Sequence, residues 1–555
     1  MTPNPLDFDW IVVGSGFGGS VSALRLSEKG YRVAVLECGR RYADHQYAES
    51  AWNLRRFLWA PRVGLHGILR LTPFRDVFVA SGAAVGGGST VYANTLYRAK
   101  PAFFEHAQWA HLADWREVLQ PHYEMAEHML GAQTVPHASD GQRLLQEVGE
   151  HLGVADTFTR VPVGVFFGAP GREVPDPYFG GEGPPRTGCT RCGACMVGCR
   201  EGAKNTLLKN YLWFAERRGA QIIPDCEVTD IQPIDAADGA TGYRVTTRTP
   251  GLGGRSGART FTARGIVVAA GALGTNRLLL QCRAAGSLPR LSPRLGELVR
   301  TNSESILAVT LPDDAMAVWN DVAISASIHP SSDTHIELVT YGRRGDAMSV
   351  LLAPLTGKGT RLTRPLLLLG NILRHPWRFL RSRWPVGWSR RTLVVLVMQT
   401  QDNAIALRLR RGWFGRFRLH TEQDQDRPNP TFIEVANRVT EWLATRTNGT
   451  PQSSVFEALA NIPTTAHLLG GAVIGADRDA GVVDAKLRAF GYQNFLICDG
   501  SAMPANPGVN PSLSITALAE YALSHVPPAE TTTPFVGSAN RGGAFTGNSA
   551  SGTSS

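Results

Sequence analysis

Two short stretches of this 555-residue chain combine residue types and spacings that could do chemistry. The first contains Gly14, Gly16 and Gly19 between an apolar run and a helix-like run, and a second apolar run after it ends at Glu37. Strand, glycine turn, helix, strand and terminal acid are together typical of a dinucleotide-binding unit. In such a unit the first glycine permits a sharp turn, the second lets the backbone approach a pyrophosphate, and the third lets helix and strand pack closely.

The polar groups of this unit indicate the class of its ligand. The N-terminus of the helix would offer unpaired N–H groups and a partial positive charge to the phosphates. Glu37 would accept hydrogen bonds from both ribose hydroxyls and would repel a 2′-phosphate. The unit therefore predicts bound NAD or FAD, and its residues alone do not distinguish the two.

The second stretch is a run of four cysteines, Cys189, Cys192, Cys195 and Cys199. Their spacing is typical of bacterial ferredoxins, in which a proline follows the last cysteine and a second run completes the ligand sets. Here Arg200 stands in place of that proline, and the chain has no second run. The four thiols are therefore candidate ligands of an iron–sulfur cluster, with a zinc site or simple thiols as the alternatives.

Composition limits the class of the protein. The length suits several domains, and 43% apolar and 19% charged residues are ordinary for a globular protein. The net charge of +9 is modest and no nucleic-acid-binding module is recognisable, so only weak anionic partners such as membrane surfaces are expected. No signal peptide precedes the first apolar run and no run is long enough to span a bilayer. These features predict a location that is cytoplasmic or peripheral to the membrane.

The elements that would position the chemical groups fall into two sets. A second glycine cluster, Ser81–Ser89, would expose backbone N–H groups to a ligand. The strand-like run Gly265–Ala270 enters a turn at Gly271 and then a helix, which repeats the logic of the first unit. From about residue 301 to 427 the pattern is rich in alternating strands such as Ser305–Thr310, and it predicts a separate, mostly antiparallel sheet. The fold class is therefore α/β.

Helices are expected near both ends of this arrangement. Residues Trp109–Leu130 have a helical pattern with an expected break at Pro121. Near the C-terminus, strand Phe495–Cys498 and helix Ser512–Ser524 would complete the nucleotide-binding sheet.

The segment 358–391 has an unusual distribution of charge. It contains eight arginines, three tryptophans and the run Leu366–Leu369, and it has no acidic residue. Basic residues interleaved with Trp and Leu are typical of docking at a membrane interface. The alternative is an ordinary basic lid over the substrate domain.

Three motifs together resemble a known family. They are the glycine unit after Asp9, the cluster Val85–Ser89, and the C-terminal pair HLLGG at His467 and DGSAMPANPGVNPS at Asp499. The chain is identified by them as similar to glucose–methanol–choline (GMC) oxidoreductases from Asp9 to Leu523, and within that family it resembles the branch that oxidises cholesterol. The resemblance implies that the cofactor is FAD.

The resemblance also implies an activity and a division into domains. The expected reaction is oxidation of the 3β-hydroxyl of cholesterol or a related sterol by molecular oxygen, which gives H2O2, with isomerisation of the 5-ene ketone to the 4-ene ketone. The alternatives are a dehydrogenase for another lipid alcohol with a protein or quinone acceptor, and a non-catalytic, membrane-docked sterol carrier. The expected FAD-binding domain is discontinuous and comprises residues 1–100, 200–300 and 460–526. The expected substrate domain comprises residues 101–199 and 301–459. A disordered tail is expected over residues 527–555.

Three residues are implied as catalytic. His467 would take the hydroxyl proton, since a base that titrates near neutrality suits alcohol oxidation. Asn510 would contact the substrate oxygen and the flavin, and because Pro511 follows it, it would also be a helix N-cap. Glu337 would shuttle a proton from C4 to C6 of the sterol, which suits a buried carboxylate. The alternative for Glu337 is a surface residue on an alternating strand.

The resemblance also implies the residues that would contact FAD. At one of them the chain departs from the common family pattern, because Tyr92 stands where many members have asparagine and an asparagine follows at Asn94. The expected cofactor contacts are Gly14, Gly16, Phe17, Gly18, Gly19, Glu37, Gly86, Gly87, Gly88, Ser89, Asn94, Val228, Gly271, Asp499, Gly500, Asn510, Pro511 and Ser512.

Overall fold

A computed structural model describes residues 6–251, 257–412 and 417–530 of the chain. The predicted tail, 527–555, lies outside the described residues from residue 531 onward. Within the described ranges, no helix has both the length and the hydropathy needed to cross a membrane.

The first of two large sheets, the nucleotide sheet, is centred on strand Phe8–Val13. This strand pairs in parallel with Val33–Leu36 on one side and with Arg259–Val268 on the other. The first two of these strands are buried almost throughout, and Arg259–Val268 is buried from Gly265 onward, as expected for parallel strands covered on both faces. The full set of strands is Phe8–Val13, Val33–Leu36, Gln221–Ile223, Glu227–Pro233, Tyr243–Arg248, Arg259–Val268 and Phe495–Ile497.

Helices pack around the first helix, Phe17–Glu28, at the nucleotide sheet. It contacts Ser512–Ser524 and Tyr211–Arg217. Arg25 makes two hydrogen bonds of 2.7 and 2.8 Å to the Glu520 carboxylate, which also accepts a bond from the Tyr211 hydroxyl. This buried polar contact fixes helices from distant parts of the chain against the glycine turn.

The second large sheet, the substrate sheet, is antiparallel throughout. Its two faces follow the period of two that strands impose. One face packs against helices Asp140–Leu152 and Glu434–Arg446, whereas the other carries Ile306, Val394 and Leu396 toward a cavity. Its strands, in spatial order, are Leu352–Pro354, Thr450–Ser454, Ser305–Thr310, Thr392–Gln399, Thr334–Val339, Ile324–Ser331 and Thr159–Arg160.

Smaller elements complete the described fold. The remaining α-helices of the described residues are Leu54–Phe57, Pro101–Phe104, Trp115–Leu130, Gly271–Ala285, Thr363–Arg374, Pro376–Arg383 and Val455–Ala460. The remaining strands of three residues or more are Leu69–Pro73, Phe78–Gly82, Ile405–Arg411 and Phe417–Gln423.

The predicted α/β fold class is confirmed, and one local prediction is wrong. Helix Trp115–Leu130 runs through Pro121 without a break. Pro121 lies on the exposed side of this helix, so water can bond the Glu117 carbonyl that loses its helical partner, while Leu119 and Tyr123 are buried. The division into domains stays a prediction, although this helix, assigned to the substrate domain, packs against Ser512–Ser524 at the nucleotide sheet.

Candidate active site

One continuous cavity joins the glycine turn of the nucleotide sheet to the apolar face of the substrate sheet. It brings together most of the predicted site residues, although they come from distant segments of the chain. Those that line it are Gly14, Gly16, Phe17, Gly18, Glu37, Gly87, Gly88, Val228, Gly271, His467, Asp499, Gly500, Asn510, Pro511 and Ser512.

The glycine turn has no room for side chains except toward the cavity. Gly14 has φ +98°, which glycine adopts without strain. A Cβ atom on Gly18 would lie 1.5 Å from the Cys498 carbonyl oxygen, and one on Gly19 would lie 2.0 Å from the Gly14 oxygen. A Cβ on Gly16, in contrast, would meet no described atom within 4 Å. The turn is therefore packed on its inner side, whereas the open space at Gly16 lets a ligand come close to the protein backbone.

The second glycine cluster lies directly against the first. A Cβ on Gly87, which has φ +52°, would come within 2.6 Å of the Gly16 Cα. The Ser15 hydroxyl lies between the loops and donates to Glu37 at 2.7 Å, while it accepts from the Gly86 N–H at 3.0 Å. Glu37 is buried and lines the cavity, as a ribose-binding acid must.

Asp499 closes the cavity from the C-terminal end of the nucleotide sheet. Its carboxylate accepts from the Thr275 hydroxyl at 2.5 Å and from the Ser501 N–H at 2.8 Å. Burial raises the pKa of Asp499, and these hydrogen bonds oppose the shift. Next to it, the Ser512 hydroxyl donates to the Thr95 carbonyl at 2.9 Å, which fixes the start of the helix Ser512–Ser524.

Five predicted site residues do not line the cavity. Gly19 packs inside the turn, and Ser89 donates to the Gly86 carbonyl at 2.6 Å, so both act within the loops. Asn94 is fully buried at φ +72°, and its side-chain amide has no hydrogen-bond partner in the described structure. The five predicted residues that do not line the cavity are Gly19, Gly86, Ser89, Asn94 and Glu337.

His467 reaches the cavity with a carboxylate behind it. Its Nδ1 lies 2.6 Å from Glu304 Oε1, and Glu304 is fully buried. The other carboxylate oxygen accepts from the Ala466 N–H at 2.8 Å and from the Thr465 hydroxyl. Burial opposes the charged imidazole, but the Glu304 carboxylate outweighs it and raises the pKa of His467. The pairing holds Nδ1 and leaves Nε2 for a ligand.

Glu304 was not among the site residues predicted from the sequence. It lies one residue before the strand Ser305–Thr310, where an acid carries no recognisable motif. Its partner comes from a segment far along the chain, so only the fold shows the pair.

Asn510 differs in part from its prediction. The helix begins at Ser512, and the N-cap position is Pro511, so Asn510 does not cap the helix. Its Oδ1 is buried and has no hydrogen-bond partner among the described residues. Asn510 lines the cavity two residues before the helix begins.

Glu337 is fully buried on strand Thr334–Val339, which excludes the surface alternative. Burial, partly offset by His467, Tyr97 and Asn510, raises the pKa of Glu337 to about 8. The carboxyl group is therefore largely protonated at neutral pH and stands next to the two other predicted catalytic residues.

The four cysteines of the ferredoxin-like run surround a small pocket beside Lys204. The ammonium group of Lys204 donates to the Cys195 carbonyl at 3.0 Å and to the Tyr92 carbonyl at 2.9 Å. Across residues 6–251, 257–412 and 417–530, no group of three or more His, Cys, Asp and Glu side chains has an arrangement that could hold a metal ion. The arrangement of the four described cysteines provides no site for a single metal ion, and the loop instead binds the Lys204 ammonium group through the Cys195 carbonyl.

The cavity fits FAD on observations of this chain. Gly16 provides open space at a helix N-terminus, Glu37 lies at the end of the second strand, and Asn510 presents an unpartnered buried amide oxygen. These residues would hold the pyrophosphate, the ribose and the flavin edge, respectively.

Comparisons with known proteins agree with this fit. A family profile described as FAD dependent oxidoreductase matches residues 9–347, and one described as GMC oxidoreductase matches residues 417–519. The chain is 49% identical to a cholesterol oxidase of Mycobacterium tuberculosis over 93% of this chain and 91% of the relative. It is 43% identical to a cholesterol oxidase of Acinetobacter baumannii, with 96% of each chain covered.

A solved structure has a similar fold. Pyridoxine 4-oxidase from "Mesorbium loti" superposes with a TM-score of 0.59 at 17% identity, over 93% of this chain and 99% of that chain. At this identity the likeness concerns the fold.

Proposed function

The chain belongs to the GMC oxidoreductase family and uses FAD, and we propose that it oxidises the 3β-hydroxyl of cholesterol or a related sterol to the 3-ketone. The observation that carries this proposal is the position of His467. Backed by Glu304, it lies in a cavity that has a dinucleotide site at one end and an apolar sheet face at the other. A sterol offers one hydroxyl group on a large apolar body, which this division of the cavity suits. The names of the relatives support the same substrate class.

In the proposed reaction His467 moves the proton. Glu304 Oε1 lies 2.6 Å from Nδ1, where it would accept from Nδ1–H and leave the lone pair on Nε2, which would take the proton of the sterol hydroxyl. The carboxylate then stabilises the imidazolium that forms, as an acid behind a histidine base does in other enzymes. FAD, when bound, accepts the hydride from C3.

Asn510 and the substrate sheet orient the sterol. The unpartnered Oδ1 of Asn510 stands ready for a hydrogen bond in the cavity. The sterol rings would lie against apolar side chains, at about 25 cal/mol for each Å² of apolar surface removed from water. Those that line the cavity from the substrate sheet are Ile306, Ile324, Val339, Val394 and Leu396.

Glu337 gives the proposed reaction its second step. After C3 is a ketone, the ionised form of Glu337 would remove a proton from C4 and return it to C6, so that the 5-ene becomes a conjugated 4-ene. The raised pKa of about 8 suits this role, because it is close to the operating pH of a general base and acid. The electron acceptor in the proposal is molecular oxygen, which becomes H2O2.

The segment 358–391 would dock on an anionic phospholipid surface in this proposal. It forms the helices Thr363–Arg374 and Pro376–Arg383. Three of their apolar side chains, Leu366, Leu373 and Trp377, are 69%, 72% and 80% exposed. Such exposure beside arginines is typical of an interfacial helix, and it favours docking over a lid whose apolar face would be covered.

The first of these helices is firmly attached to the substrate sheet. Arg364 is buried, 3.0 Å from the Glu457 carboxylate, and donates to the Thr431 carbonyl at 2.9 Å. Asn371 donates to the Leu355 carbonyl at 2.8 Å, beside the edge strand of the substrate sheet. The exposed apolar residues are therefore presented on a fixed support.

Liposome flotation tests the docking. With vesicles of phosphatidylcholine and phosphatidylglycerol, the double variant Trp377→Ala/Trp384→Ala should lose most of the binding of the wild type. Trp52→Ala is the matched control, because Trp52 is 49% exposed elsewhere on the surface. Equal binding of all three proteins contradicts the docking.

Anaerobic mixing with cholesterol tests the activity. The flavin absorbance should bleach with cholesterol and remain with its 3α-hydroxy epimer, because His467 and the cavity would address one face of C3. Rapid recolouring in air supports oxygen as acceptor, whereas slow recolouring indicates a dehydrogenase with another acceptor. Absence of bleaching with cholesterol contradicts the proposed function and leaves two alternatives, a dehydrogenase for another lipid alcohol and a sterol carrier.

A further inference from the structure

Two histidines lie between buried Glu337 and the surface of the substrate sheet. His335 is on the same strand as Glu337, and both side chains are fully buried. His335 Nε2 lies 3.1 Å from Glu337 Oε1. The neighbouring strand, Ile324–Ser331, contributes His329, which is half-buried and so reaches the solvent boundary.

The two imidazole rings are in contact. Their Nδ1 atoms are 3.4 Å apart, and their ring centroids are 4.7 Å apart at an interplanar angle of 58°. Tyr97 packs its ring edge-on against His335 at 4.8 Å, which restricts the rotation of that ring. Each imidazole therefore has one nitrogen facing inward along the series and one facing outward.

From this placement we propose that His335 and His329 form a proton path between Glu337 and the solvent. The use of this path during turnover depends on the proposed function of Glu337, whereas the path itself is inferred from the three side chains alone. A buried carboxyl group that gains and loses protons during turnover needs a route for exchange with solvent.

The transfer balances as a proton relay without any redox step. The Glu337 carboxyl gives its proton to His335 Nε2, His335 Nδ1–H gives one to His329 Nδ1, and His329 Nε2–H gives one to water. The net change is one proton moved from Glu337 to solvent, and the reverse sequence protonates the carboxylate again. Each step forms one N–H or O–H bond and breaks another.

The charge state of the two histidines suits the relay. Burial and the positive charge of Lys100 lower the pKa of His335 to about 3, and burial, His335 and Lys100 lower the pKa of His329 to about 4. Both rings are therefore neutral near pH 7, and each retains one N–H donor and one lone pair. The Lys100 ammonium is held by the Ser332 and Thr334 carbonyls at 3.1 and 3.0 Å.

Infrared spectroscopy of the holoenzyme without sterol tests the path. At pD 6 the carbonyl band of protonated Glu337, assigned by its loss in Glu337→Gln, should shift on transfer to D2O. In His329→Phe and His335→Phe the shift should be at least tenfold slower than in the wild type. His111→Phe, which changes an exposed histidine, is the matched control and should exchange like the wild type.

The outcomes separate this proposal from the proposed function. Equal exchange in the wild type and both phenylalanine variants overturns the path, and so does the absence of any Glu337 carboxyl band, because there would be no proton to relay. Conversion of the 5-ene ketone in D2O is measured separately. If wild type converts it, deuterium at C6 should fall at least twofold in His329→Phe, and unchanged deuterium also counts against the path. A wild type that does not convert it contradicts the isomerase role alone, since the infrared result still decides the path.

Discussion

The substitution Glu304→Gln would change which nitrogen of His467 carries the proton. In the wild type one oxygen of Glu304 faces Nδ1 at 2.6 Å, and the other accepts from the Ala466 N–H and the Thr465 hydroxyl. In the variant the amide oxygen should stay with these two donors, so the NH2 group would face Nδ1. Nδ1 would then accept a hydrogen bond, and the proton would move to Nε2.

The expected loss follows from the role of that nitrogen. With Nε2 protonated, His467 cannot take the proton of the sterol hydroxyl, and general base catalysis typically contributes about 10²- to 10⁴-fold. The rate of flavin reduction should therefore fall by about 10²- to 10⁴-fold, or roughly 3 to 5 kcal/mol. The affinity for sterol should change little, because the substitution is nearly isosteric and leaves the apolar residues of the cavity unchanged.

The pH dependence of the rate gives a second test, because the direction of its change can be predicted. The carboxylate raises the pKa of His467, and the base acts in its neutral form, so the wild-type rate should decline as pH falls through that raised pKa. Removal of the carboxylate lowers the pKa, and the residual activity should decline at a lower pH. A charged hydrogen bond of about 1.5 to 3 kcal/mol corresponds to a displacement of about 1 to 2 pH units.

Anaerobic stopped-flow reduction by cholesterol across pH 5 to 9 is the assay. Flavin content, measured by absorbance, must match that of the wild type, and Glu434→Gln serves as the control because Glu434 is an exposed acid at a helix start. If Glu304→Gln reduces its flavin within threefold of the wild-type rate with the same pH profile, the pairing has no catalytic role.

Three further predictions address other parts of the chain. Glu337→Gln should still oxidise cholesterol but release the 5-ene ketone. Because the pKa of Glu337 is raised in the folded protein, the wild type should lose stability between about pH 5 and 8, by up to about 1.4 kcal/mol per pH unit. Thermal denaturation should show no such loss in the variant. Gly18→Ala should fail to fold, since its Cβ meets the Cys498 oxygen, whereas Gly16→Ala should fold with reduced FAD content by absorbance; equal yields and FAD content would contradict this. Anaerobically purified protein should hold no stoichiometric iron or sulfide, and one cluster per chain would contradict the geometry.

Helices and strands could be predicted from the sequence where the local pattern of apolar and turn residues determines their bounds. Ser305–Thr310 and Ser512–Ser524 have the predicted bounds, because an apolar run between clear turn residues needs no tertiary information. Pro121 shows the limit of this reasoning. Its local effect is to break a helix, but burial of the opposite side of the helix outweighs the loss of one hydrogen bond.

Side-chain partners could not be predicted because sheet register and distant segments set them. Glu304 meets His467 only after strand Ser305–Thr310 has paired in the substrate sheet, and His329 meets His335 through the pairing of two neighbouring strands. For Asn510 the order Asn–Pro indicated a cap, whereas the residue lines the cavity two residues before the helix begins.

The cysteine run illustrates the same limit in a motif. Spacing alone suggested a cluster; the four cysteines do line one small pocket, but they form no group that could hold a metal ion within the described residues, and Lys204 lies beside them. A local spacing predicts metal binding only if the backbone brings all ligands to one centre.

The role of His467 in removing the hydroxyl proton is the central claim, and single-turnover reduction of the flavin tests it most directly. His467→Ala, loaded with FAD to the wild-type level, should be reduced by cholesterol at least 10²-fold more slowly, in accord with the loss of a general base. Its sterol affinity, measured from the concentration dependence of the same traces, should stay within about threefold, since the apolar wall is intact. Reduction of this variant at a rate near that of the wild type would contradict the account.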